Sequence, residues 1–134
     1  MIRWLLIVAA VLAWLFALML LFSTQAFEAP VGIDVTDKVA TIAQAQGAIL
    51  LGLGVINWLA RDLTDVRALR AVLGGNLVVQ VASLIVAARA VALGIFPVQG
   101  VPAIVIHLLL GTAFAIAWVR VRRNSDPTTV ARAA

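Results

Sequence analysis

Four apolar blocks, each about long enough to cross a bilayer, alternate with short polar connections, and that alternation constrains the fold more tightly than any other feature. The blocks run from about Trp4 to Phe22, Val39 to Ala60, Ala71 to Leu93 and Pro102 to Val119. A hydrocarbon layer about 30 Å thick takes about 20 apolar residues to cross as a helix. Within it, no water can satisfy a free backbone N–H or C=O, so an apolar segment crosses as a helix, whose hydrogen bonds are internal. The chain is 64% hydrophobic and 12% charged, with a mean hydropathy of +1.12. A soluble domain of this length needs more polar surface than that. The predicted fold is therefore all-α: a four-helix, up-down transmembrane bundle forming one domain over residues 1–124. Residues 125–134 are expected to form a flexible cytoplasmic tail.

The first block exceeds the ~7–15 residues of a secretory core region, so it is expected to remain as a spanning helix. Glu28, Pro30, Gly32, Asp34 and Asp37 break the pattern in the first connection, and Thr36 is a suitable N-cap for the second helix. The second connection, Arg61-Asp62-Leu63-Thr64-Asp65, offers Thr64 as a cap, with Asp65 in the first turn of the third helix. Gly94, Pro97, Gly100 and Pro102 punctuate the third, with Pro102 suited to a first helical position.

Charge orients the prediction. With the N-terminus cytoplasmic, that side holds eight basic residues: Arg3, Arg61, Arg67, Arg70, Arg120, Arg122, Arg123 and Arg132. The other side holds two, Lys38 and Arg89. This is the asymmetry of the positive-inside rule, and it places both termini in the cytoplasm. The net charge of +4 is thus accounted for by topology and by attraction to anionic membrane lipids, not by a nucleic-acid partner. Trp4, Trp58 and Trp118 fall at the same expected boundary, while Trp14 falls in mid-span.

Several chemistries lack their residues. The chain has no cysteine and a single histidine, which removes disulfide, thiolate and bis-histidine haem chemistry within one chain. No span carries Asp or Glu, as a proton-coupled small multidrug transporter requires, and no clustered ligands suggest a metal. No catalytic residue, metal or cofactor is assigned. An enzymatic role would need a nucleophile and base that cannot be named.

What remains is a set of small-residue stripes and a few polar side chains. Ala9, Ala13 and Ala17, then Ala43, Gly47 and Gly54, then Ala103, Gly111 and Ala115 read as helix contact seams. Gln46 and Asn57 are eleven residues apart and so lie within ~20° around one helix. Asn76, Gln80 and Ser83 share a face of the next. If those faces meet they form a polar seam, read either as interhelical hydrogen bonding or as a lined cavity. His107 lies on the seam of the fourth helix. It reads as a structural group bonded to Gln44, Gln46 or a carbonyl, or as a functional intramembrane histidine. Candidate ligand-binding residues are Gln46, Gln80, Ser83 and His107. Arg89, ~6 Å from the end of its helix, is expected to anchor the outer interface by snorkelling or by pairing with Glu28, Asp34 or Asp37.

The stretches Ala45-Gln46-Gly47-Ala48, Leu51-Gly52-Leu53-Gly54 and Asn57-Trp58-Leu59-Ala60-Arg61-Asp62, followed by Gly75-Asn76, resemble small four-helix bacterial membrane proteins of the DoxX-like kind. The resemblance covers about the middle half of the chain. It implies a four-helix architecture in a bacterial cytoplasmic membrane and association with respiratory or other membrane complexes, and it transfers no catalytic residue. Two functions are carried forward. One is a non-catalytic accessory subunit that packs against other membrane subunits or copies of itself. The other is binding or transport of a lipid, quinone or other small hydrophobic ligand within the bundle.

Overall fold

A computed structural model describes residues 1–95 and 101–124. Their regular structure is helical throughout: α1 (Ile2–Phe22), α2 (Thr24–Glu28), α3 (Asp37–Ala60), α4 (Val66–Ala92) and α5 (Val101–Asn124), with a 3₁₀ turn at Ala29–Val31. Four of these helices, α1, α3, α4 and α5, are long and apolar enough to cross a membrane. At 1.5 Å per residue the shortest of them, α1, is about 31 Å long. Large apolar side chains such as Leu15, Ile42, Val78 and Leu109 are exposed on the helix flanks, the surface that a chain in hydrocarbon presents to lipid. This is an integral membrane protein.

Local chemistry sets the helix ends. Thr36 caps α3 through a hydrogen bond its side chain accepts from the Val39 N–H at 3.3 Å. At α4 the cap is Asp65 rather than Thr64, its carboxylate accepting from the Ala68 N–H at 2.6 Å. The carboxylate is the stronger acceptor for a helix N-terminus, and α4 accordingly starts at Val66, a turn before the apolar block. The first connection is more ordered than its breakers suggest. Ser23 leaves helical geometry, Thr24 donates to the Leu20 carbonyl at 2.6 Å, and the chain re-enters a short helix before Gly32 turns it at φ 79°. Of the residues expected to punctuate the third connection, Pro97 and Gly100 lie outside those described, as does the tail from 125 to 134.

The four long helices associate as two pairs. α1 lies along α3 and α4 along α5, whereas α3 with α4, and α1 with α5, touch at only a few points. The small-residue stripes explain the first pair. Ala9, Ala13 and Ala17 of α1 and Ala43, Gly47 and Gly54 of α3 are buried. A methyl group added at Gly47 would stand 3.0 Å from the Ala17 carbonyl oxygen. At Gly54 it would stand 2.4 Å from the Trp14 indole. Trp14, the tryptophan out of place in the sequence, thus lies over a glycine, and its ring meets Trp58 with centroids 5.5 Å apart.

The two pairs come together at the end that carries the turn of residues 61–65. Leu6, Ala9, Ala60, Leu73, Phe114, Ala117 and Val121 form a buried cluster there, drawing on all four long helices. Arg3 reaches across to Asp62 at 3.1 Å, tying the start of α1 to that turn. Towards the Asp37 end, α3 is uncovered on the same side: Asn57 is 1% exposed, but Gln46, on nearly the same helical face, is exposed.

Gly54→Ala should therefore destabilise the α1–α3 pair by about 1–3 kcal/mol, the usual penalty for overpacking a close contact. Gly52→Ala, where no atom of the described residues lies within 4 Å of the added methyl, should leave stability unchanged or raise it slightly. Unfolding midpoints of both variants in mixed micelles check this, and equal midpoints would contradict the packing described.

Candidate functional site

Among the described residues, polar side chains of different spans bond one another at two places. The first lies between α3 and α4. Asn57 donates to the Asn76 carbonyl oxygen at 3.0 Å and Asn76 donates back to that of Asn57 at 2.7 Å, closing a reciprocal amide pair. Asn76 also donates its other N–H to the Val72 carbonyl at 2.9 Å. Both residues are almost fully buried. The turn after Ala60 is short, and it sets the last turns of α3 near the first turns of α4.

The second lies between α4 and α5. His107 Nδ1 and Gln80 Oε1 are 2.8 Å apart, with Gln80 buried and His107 half-buried. Gly111, one turn beyond His107, lets α5 approach α4 closely enough for an added methyl there to lie 3.4 Å from the Gln80 Cβ. The histidine thus has a side-chain partner, but it is Gln80 rather than Gln44 or Gln46. Gln44 instead leans back to the Leu21 carbonyl at 3.5 Å.

Of the four candidate ligand-binding residues, then, Gln80 and His107 are brought together. Ser83 is half-buried one turn further along α4, and Gln46 stands exposed on α3. Gln46 and Asn57 do share a face, yet α4 covers only Asn57. The polar seam expected from the sequence forms at the Asn57–Asn76 end and does not extend to Gln46. Among the described residues, no group of three His, Cys, Asp or Glu side chains could hold a metal ion.

Arg89 is exposed near the end of α4 and, among the described residues, has no carboxylate in ion-pair range. Its expected partner Glu28 is part-buried, and burial alone pushes that carboxyl above the ordinary range. At the opposite end the tryptophans carry guanidiniums that sequence spacing only hints at. Arg61 lies 4.0 Å over the Trp58 ring and donates to the Trp58 carbonyl, while its Nε pairs with Asp62 at 3.3 Å.

The amide pair makes an asymmetric prediction. Asn76→Leu leaves Asn57 with no partner and should lower stability by about 1–3 kcal/mol. Asn57→Leu should cost less, because Asn76 keeps the Val72 carbonyl. The double Leu variant should recover part of the loss, with a coupling of about 0.6–1.7 kcal/mol in a double-mutant cycle. Additive losses would show that the two amides do not bond. No family model matches the chain, and neither a curated protein nor a solved structure was found to be significantly similar to it.

Proposed function

We propose that this chain is a non-catalytic accessory subunit of a larger membrane assembly, bound through the helix surfaces its own packing leaves open. In this reading it spans a bacterial cytoplasmic membrane four times, up and down, with both termini cytoplasmic, as the basic asymmetry of its ends favours. The observation that carries the proposal is Gln46. Its carboxamide stands exposed about 14 Å along α3, well inside an apolar span. In hydrocarbon such a group lacks the hydrogen bonds that water would supply, and a neighbouring helix provides them.

The small-residue stripes on α1 and α3 are used within the chain, so they are not the docking surface. Gly52 and Gly75 are exposed, with no atom of the described residues within 4 Å of where a side chain would begin, and they offer close approach to another helix. A small hydrophobic ligand between the two helix pairs is the competing occupant of the surface beside Gln46.

The absence of cysteine makes the test clean, since Gln46→Cys and Gly52→Cys each introduce the only thiol. In native membranes both variants should cross-link to another polypeptide, and gentle extraction followed by native mass spectrometry should yield a defined larger assembly. Recovery as a lone monomer carrying one small molecule, with no cross-link at either position, would overturn the subunit reading in favour of ligand binding.

A further inference from the structure

Beyond helix packing, the first turns of α4 and the last turns of α5 enclose an open cleft of about 320 Å³ lined by Arg67, Arg70, Ala71 and Trp118. That is the low end of the range for ligand sites. The guanidiniums of Arg70 and Arg122 lie 5.9 and 5.8 Å from the centre of the Trp118 ring. Asp62 takes up Arg3 and Arg61, and the Asp65 carboxylate is engaged at the α4 cap. Among the described residues, no carboxylate lies within ion-pair range of Arg67, Arg70 or Arg122. The Arg70 Nε–H is buried and has no hydrogen-bond acceptor among the described residues. A protein rarely keeps a buried guanidinium N–H unsatisfied without an acceptor that arrives from outside.

The geometry points to a binding site for the phosphate group of an anionic phospholipid, held by Arg67 and Arg70 beside Trp118, with Arg122 completing the positive field. The cleft lies where α4 and α5 leave their apolar spans, which is the depth of a headgroup phosphate. Guanidinium donors suit phosphate oxygens in paired hydrogen bonds. Trp118 suits the boundary itself, its ring in the apolar layer and its edge towards headgroups. The acyl chains of such a lipid would lie along the exposed apolar flank of α4 that continues the face of Arg67 and Ala71, where Val78 and Ile85 are uncovered.

The test uses the full chain in neutral detergent, with phosphatidylglycerol or phosphatidylcholine added and lipid retention read by native mass spectrometry. The wild-type protein should retain phosphatidylglycerol preferentially. The Arg67→Gln/Arg70→Gln variant should retain about tenfold less, while Arg120→Gln/Arg123→Gln, which removes the same charge from other faces of α5, should change retention less than twofold. Equal losses in both variants, or no preference in the wild type, would reduce the effect to diffuse charge and overturn the site. Arg70→Met guards against a folding artefact: it should keep the lipid-free melting temperature and lose the rise that phosphatidylglycerol produces. A lower lipid-free melting temperature with that rise intact would make Arg70 structural and overturn its assignment. Inorganic phosphate distinguishes the source. It should give less protection than the lipid, and equal protection would mean that a soluble phosphate, not a lipid, is the ligand.

Discussion

The reciprocal hydrogen bonds between Asn57 and Asn76 are the interaction on which the arrangement of the two helix pairs depends. Apolar side chains gain little by leaving lipid for one another, so helices in a membrane associate through close packing and a few polar contacts. Few points of contact link α3 to α4 or α1 to α5. The amide pair therefore fixes where the two halves meet, and the buried cluster of Leu6, Leu73, Phe114 and their neighbours draws on all four long helices at the same end. Arg3–Asp62 reinforces the same end from the aqueous side, where an exposed ion pair contributes little by itself. Nothing equivalent joins α3 to α4 at the Asp37 end among the described residues, and Gln46 is uncovered there.

Within each pair the determinant is different. α1 and α3 approach closely because alanine and glycine face one another, and Trp14 fills the space that Gly54 leaves. Its ring bridges to Trp58 and so to Arg61 at the helix end. In α4 and α5 the approach is set by Gly111 beside Gln80, and by Gly74 beside Trp118. Both pairs place a polar or aromatic side chain over a glycine, a device that trades side-chain volume on one helix for a specific contact on the other.

Much of this is legible in the sequence, and what is not has physical reasons. Span number and approximate bounds follow from hydropathy, and the Thr36 cap from residue type. The meeting of Asn57 with Asn76 follows from a face argument on two helices joined by a short turn. The same argument extended to Gln46 fails, because sharing a face fixes direction around one helix but says nothing about how far its neighbour leans away. The His107 partner is missed for a related reason. The expected seam groups Gln80 with α3, whereas it sits where α4 meets α5. Thr64 and Asp65 are both good caps, and their order along the chain does not decide between them. The Arg70 guanidinium beside Trp118 is hidden from a linear reading because the two residues are far apart in sequence, and Arg122, one turn after Trp118, enters it only as a charge.

Two close helix pairs are joined at one end, and the other end of the α3–α4 boundary is open. Spin labels introduced as cysteine pairs measure this directly by pulsed dipolar spectroscopy in lipid nanodiscs. A reference pair at Leu15 and Val55 spans α1 and α3, and a second at Gln46 and Ser83 spans the open part of the boundary. The reference pair should give a narrow distance distribution and the pair across the boundary a distinctly broader one. Equally narrow distributions would contradict this arrangement, showing α3 and α4 held together along their whole length.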